Sequence, residues 1–173
     1  MVKVKGLWHN VPLPAGQVVG LVAGILLDRR RVLQLPGPRI AHRSAGATLI
    51  LAGCLLNVWA WNERRRHEVG EFDLETPGTL VTTGPYAFTR HPMYVGWWFI
   101  HGGIGIFRGS AWVLATLPAA ALAEHRTVTQ EERTLAQTFG DQYTRYTRLV
   151  PRYLRFASDR SRRAAASSSG TTP

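Results

Sequence analysis

Four side chains in the stretch 82–96, TTGPYAFTRHPMYVG, are of types that can bind a charged, aromatic small molecule: Tyr86, Arg90, His91 and Tyr94. Gly84-Pro85 reads as a turn, because Gly tolerates positive φ and Pro fixes its own. Pro92 suits the first turn of a helix, where its missing N–H costs nothing. The spacing therefore predicts that Arg90, His91 and Tyr94 cluster at the mouth of a helix that then enters an apolar medium. Ionisable and aromatic groups in that position mark a functional site by default. The plain alternative is an interfacial anchor, since Tyr and Arg commonly sit at membrane borders.

The elements that must position these groups follow from the rest of the chain. It has 173 residues and a net charge of +10, and every basic residue except Lys3 and Lys5 is Arg. A mean hydropathy near zero hides long apolar blocks alternating with Arg-rich ones. Arg residues that flank apolar segments follow the membrane pattern, not that of a soluble nucleic-acid binder with interleaved aromatics. The single Cys, Cys54, permits no internal disulfide and no metal cluster, and its apolar surroundings predict a small buried hydrophobe. No cleavable leader is expected after the basic start Met1–His9.

Four apolar runs are expected to form about four transmembrane helices. The first, Ala15–Leu27, carries Gly16, Gly20 and Gly24, a spacing that lets helices in lipid approach closely. The second, Ser44–Trp61, ends on Trp59 and Trp61 as an aromatic belt and on Asn62–Arg66 as a charged stop. A solvated acidic loop, His67–Pro77, follows. The third, Met93–Phe107, and the fourth, Ser110–Ala123, form a tight hairpin about Arg108-Gly109. His101, inside the third run, is expected to be satisfied by a neighbouring helix. Beyond Glu124, Val128, Leu135, Phe139, Tyr143 and Tyr146 recur near the helical period, predicting an amphipathic helix interrupted at Gly140 and closed at Val150-Pro151-Arg152. Residues 1–156 form one domain in this reading, and 157–173 a disordered Arg/Ser/Ala tail. The heavier Lys and Arg load lies on the side holding the N-terminus, the second loop and the C-terminal part. Both termini, the 82–96 stretch and the last helix should then be cytoplasmic.

Two motifs, GPYxxxRHPxYxG in LVTTGPYAFTRHPMYVG and EExxLxxxFGxxY in EERTLAQTFGDQYTRYTRLVPR, resemble the isoprenylcysteine carboxyl methyltransferase and phospholipid methyltransferase superfamily over Thr79 to about Arg152. The resemblance implies a small multi-pass membrane enzyme that uses S-adenosylmethionine in a cytoplasmic pocket, with a lipophilic acceptor entering from the bilayer and no metal. By matching positions it implies cofactor contacts at Thr79, Leu80, Val81, Tyr86, His91, Pro92, Met93, Tyr94 and Glu131, with Glu132 beside it. Tyr86 and Tyr94 could face the adenine or the sulfonium. Glu131 or Glu132 could accept from the ammonium or ribose hydroxyls, and Arg90, His91 or helix-start N–H groups could meet the carboxylate.

The acceptor side departs from the pattern. Relatives that methylate carboxylates carry an Arg four residues before the first Glu of the pair, where this chain has Thr127. Arg126 lies one residue away, about 100° around a helix. That favours a hydroxyl on a long-chain phenolic or pyrone lipid, ahead of a prenylcysteine carboxylate or a phospholipid nitrogen. A hydroxyl needs a base, for which His91 and His125 are the candidates. A non-enzymatic membrane scaffold that retained the fold would carry a damaged cofactor motif, and this motif is intact.

Overall fold

A computed structural model describes residues 14–67 and 78–154. The lead-in before Pro14, the acids Glu68, Glu71, Asp73 and Glu75, and the tail from residue 157 lie outside these residues. The described chain is helical: α1 (Ala15–Arg30), α2 (Arg39–His67), a 3-10 turn at Gly84–Ala87, α3 (Pro92–Arg108) and α4 (Ala111–Leu149). α2 packs most extensively on α3, and α1 on α4.

The hairpin expected about Arg108-Gly109 is present. Gly109 adopts φ 64°, which lets α3 end in a left-handed cap, and the Ser110 side chain accepts from the Val113 N–H to start α4. The fourth apolar run and the amphipathic segment, expected as two helices, run on as one continuous helix as far as Gly140. No breaker separates Ala123 from Glu124, and the junction is built from good helix formers. A change from apolar to polar composition is therefore no stop signal. Gly140 interrupts α4 as expected, with φ 47° and ψ −120°.

Of the four expected spans, α2 has the length and composition to cross a membrane. α1 and α3, with 16 and 17 residues, are shorter than the roughly 20 a hydrocarbon core wants. The distribution of apolar side chains is inverted relative to a water-soluble bundle. Val19 is 68% exposed and Leu51 and Leu55 are each 60% exposed, whereas the helix contacts are made through glycine. A Cβ on Gly20 would lie 3.1 Å from Ala120 Cβ, and one on Gly53 would lie 2.5 Å from the Gly96 carbonyl oxygen. Close backbone contact inside and large aliphatics outside suit helices whose exterior meets lipid. Cys54 follows this inversion. It is exposed, not buried, because its face of α2 turns away from α3.

The two ends of the bundle differ. At one end the α1–α2 connection lies against the hairpin tip: Leu35 N–H donates to Gly109 O at 2.8 Å and Ala111 N–H to Leu33 O at 2.9 Å. The 82–96 stretch and the end of α4 meet at the other. Between them His101 is fully buried. It sits 2.5 Å from Gln17 Oε1 and 3.0 Å from the Val113 carbonyl oxygen, as expected of a satisfied histidine.

The α2–α3 contact sets a stability prediction. Gly53→Ala forces the two backbones apart and should cost about 1–3 kcal/mol. Thermal unfolding in detergent measures it; a variant as stable as the wild type would show that the helices separate at no cost.

Candidate functional site

The 82–96 stretch is fastened from both sides. Gly84, at φ 57°, opens the 3-10 turn. A Cβ there would sit 2.8 Å from Glu63 Cδ, so glycine also makes room for that side chain. Glu63, within the stretch expected as a charged stop, is buried on α2 and accepts from Thr83 Oγ1 at 2.6 Å. From the other side Tyr146 O–H donates to Tyr86 O at 2.7 Å, Thr89 Oγ1 to Arg152 O at 2.9 Å, and Arg90 N–H to Pro151 O at 3.0 Å.

Glu132 is the strongest link. His91 Nε2 and Arg90 Nη2 each approach its Oε1 at 3.2 Å. Arg152 approaches Oε2 with Nε at 3.0 Å and Nη2 at 2.5 Å. Burial by itself would raise the carboxyl, but the hydrogen bonds from His91 and Arg152 and the charges of Arg90 and Arg152 outweigh it and hold Glu132 at about 2. This carboxylate is fully engaged within the protein. Glu131 is the freer acid of the pair: its side chain is 46% exposed and its Oε2 is 3.5 Å from His91 Nδ1. The Arg64 charge acts on both Glu131 and Tyr86.

The remaining expected residues gather around this clamp. Pro92 is buried at the first position of α3. Val81 packs on Ala60, Tyr86 and Met93, and Leu80 on Tyr143, Tyr146 and Val150. Tyr86, expected to offer an open aromatic face, is buried in that cluster, because the 3-10 turn folds it inward. Tyr94 meets the His91 ring edge-on at 5.8 Å. Thr79 is exposed. Of the two proposed bases, His91 has Nε2 facing Glu132, and exposed His125 has Nδ1 3.1 Å from Tyr153 O–H.

Beside the clamp lies a cavity of about 410 Å³, whose wall includes Gly16, Met93, Tyr94, Trp97, Glu124 and Thr127. Thr127, at the position where the resemblance implies an Arg, is on this wall and Arg126 is not, both residues being exposed. Sequence reasoning missed Glu63, Arg64, Glu124, Arg152 and Tyr153. Tyr153 lies between His91, Trp98 and His125, with ring centroids 4.7 Å from Trp98. The usable signals were two acids, Glu63 and Glu124, placed at the very ends of apolar runs.

The chain belongs to the phospholipid methyltransferase family, whose model matches residues 41–142. Among curated proteins it is similar to the Protein-S-isoprenylcysteine O-methyltransferase of Rattus norvegicus, 32% identical over 117 residues, covering 65% of this chain and 41% of that protein. The Homo sapiens protein of the same name is 39% identical over 80 residues, covering 45% and 28%. That of Schizosaccharomyces pombe is 38% identical over 74 residues, covering 42% and 31%. The chain thus spans about two fifths or less of the length of these relatives.

Glu132→Gln leaves three cationic or donor groups around a neutral amide and should destabilise the fold by about 3 kcal/mol. The sign of the pH effect follows from a folded value below the ordinary one. The clamp's contribution is complete above about 4.5 and is lost as pH falls from there towards about 2. Thermal unfolding followed from pH 7 to pH 3 should show that component in the wild type and not in the variant. Equal acid sensitivity in both would place the linkage elsewhere.

Proposed function

We propose that the chain is an S-adenosylmethionine-dependent methyltransferase acting on a lipophilic acceptor that enters from the bilayer. In this reading residues 1–156 form one multi-pass domain with both termini and the site on the cytoplasmic face. The observation that carries it is the latch of the 82–96 motif to the Glu131-Glu132 helix beside a cavity lined by Met93 and Tyr94.

The donors and acceptors suit that cofactor. Glu131 is the carboxylate with capacity to spare for an ammonium or for ribose hydroxyls, since Glu132 is fully engaged. Arg90 has a buried Nε–H that makes no full hydrogen bond among the described residues, with the Tyr143 hydroxyl close by, and a guanidinium is the kind of donor a carboxylate takes. The first-turn N–H groups of Met93 and Tyr94 have no carbonyl within their own helix to bond. Thr79, Leu80, Val81 and Pro92 would hold the loop against the bound molecule, and Tyr86 would support it from beneath. When bound, the cofactor supplies a methyl group on a sulfonium, and the group released is a neutral thioether. The protein's work is then to hold the acceptor in line and keep water out.

For the acceptor we infer a hydroxyl on a phenolic or pyrone lipid. The described cavity wall contains no Lys, Arg or His, and it does contain a carboxylate, Glu124. A carboxylate acceptor would enter as an unpaired charge, which costs several kcal/mol in a half-dry pocket; a hydroxyl arrives neutral and can bond to Thr127. The names of the relatives favour a second reading, methylation of a prenylcysteine carboxylate.

Purified protein with labelled cofactor should methylate an alkylphenol and leave farnesylcysteine largely untouched. Thr127→Arg should impair the phenol reaction. A clear preference for farnesylcysteine, lost in Arg126→Ala, would establish the second reading instead. Independently, Glu131→Ala should weaken S-adenosylhomocysteine binding roughly 10- to 150-fold, the loss of one charge-assisted contact. Binding unchanged by this substitution would remove Glu131 from the site.

A further inference from the structure

Glu124 is the first residue beyond the fourth apolar run. It is 3% exposed, and no cation lies within ion-pairing distance of it among the described residues. Its two oxygens are treated differently. Oε2 accepts from Gln17 Nε2–H at 3.0 Å and from Trp98 Nε1–H at 3.0 Å. Gln17 is held in turn by His101, whose Nδ1 lies 2.5 Å from Gln17 Oε1, and both are fully buried. Oε1 is buried and has no hydrogen-bond partner among the described residues, on a side chain that forms part of the cavity wall with Met93, Tyr94 and Thr127. A buried carboxylate oxygen without a partner is costly. Here two helices, α1 and α3, contribute donors that fix one oxygen and leave the other available beside the place where an acceptor would sit.

We propose that Glu124 Oε1 binds the hydroxyl of a neutral, lipophilic acceptor and takes its proton, and that the Glu124 charge keeps anionic lipids out of the cavity. The proton step rests on the methyl-transfer reading above; the exclusion of anions does not. As the new bond forms between the acceptor oxygen and the methyl carbon, the carbon–sulfur bond of the sulfonium donor breaks and its electron pair stays on sulfur. The hydroxyl proton moves to Oε1. Carboxylate, neutral alcohol and sulfonium become carboxylic acid, neutral ether and neutral thioether, so charge and atoms balance; the proton leaves to water after the product. Burial pushes the Glu124 carboxyl above the usual carboxylate range despite the opposing pull of the Gln17 side chain, the Trp98 indole and the nearby Gln17 backbone N–H, which brings its basicity closer to that needed near neutral pH. The role falls to neither His91 nor His125, which face Glu132 and Tyr153.

The test uses the full chain in phosphatidylcholine nanodiscs, with 4-dodecylphenol as acceptor and radiolabelled dodecanoate as the anionic probe. Glu124→Gln preserves the shape and can still accept from Gln17 and Trp98. It should lower methyl transfer to the phenol about a hundredfold or more while S-adenosylhomocysteine affinity stays within about twofold, less than the roughly tenfold that one lost contact produces. Dodecanoate retention above that of empty discs should be absent in the wild type and appear in Glu124→Gln. Formate should restore part of the rate in Glu124→Ala. Glu124→Asp, which keeps the charge but withdraws the oxygen, should still exclude dodecanoate while losing most of the rate; it serves if the neutral variants do not fold. Near-wild-type transfer in Glu124→Gln would overturn the proton role, and equal dodecanoate retention with and without the charge would overturn the exclusion. If the wild type binds no S-adenosylhomocysteine, the methyl-transfer reading and the proton step fall, and the dodecanoate comparison alone decides the exclusion.

Discussion

The architecture of the site depends on one carboxylate. Glu132 sits where Arg90 and His91 of the loop and Arg152 beyond α4 converge. Arg90 and Arg152 belong to segments far apart in sequence, and the two guanidinium groups would repel each other without the acid between them. Burying a charge is favourable only when it is paired and hydrogen-bonded, and Glu132 satisfies that condition on both oxygens. The surrounding backbone bonds, from Arg90 to Pro151 and from Tyr146 to Tyr86, hold the loop in the register that the ion cluster requires.

Much of this was legible in the sequence because it rests on local backbone chemistry. The turn at Gly84-Pro85, the helix start at Pro92, the cap at Gly109 and the interruption at Gly140 each follow from a residue whose φ or missing N–H admits few alternatives. The buried face of α4, from Val128 to Tyr146, followed from periodicity. Division of labour within Glu131-Glu132 was not legible. Adjacent acids look alike in one dimension, and only the position of Arg152 tells which of them is neutralised. The burial of Glu63 escaped for a similar reason. An acid before Arg64-Arg65-Arg66 reads as part of a solvated charge run, whereas Thr83 and the bare backbone of Gly84 give it a place inside. Cys54 was misplaced because burial was inferred from apolar neighbours, and in this chain apolar neighbours face outwards.

That inversion also explains how a short chain keeps a tight bundle. Where the exterior is apolar, large side chains gain little by turning inwards, and helix association depends on contact distance. Gly20 against Ala120 and Gly53 against Gly96 supply it. The same closeness brings Gln17 of α1 and Trp98 of α3 within reach of a single side chain on α4. Bulkier residues at Gly16 or Gly20 would move α1 away from α4 and with it the donor that fixes Glu124.

α4 therefore carries two buried acids eight residues apart, about 12 Å along its axis, in opposite electrostatic states. Glu132 is surrounded by cationic groups and hydrogen-bond donors and is held at about 2. Glu124 meets only neutral donors, and among the described residues one of its oxygens lacks a hydrogen-bond partner. A carboxylate in the first state is chemically quiet: it cannot take a proton near neutral pH, and its use is structural. One in the second state can bind or receive a proton, because nothing else competes for it. Two acids of the same type on one helix are thus divided between holding the loop and meeting a ligand by which cations the fold delivers to each. The distribution of Arg between the two ends of α4 makes that division as much as the acids themselves do.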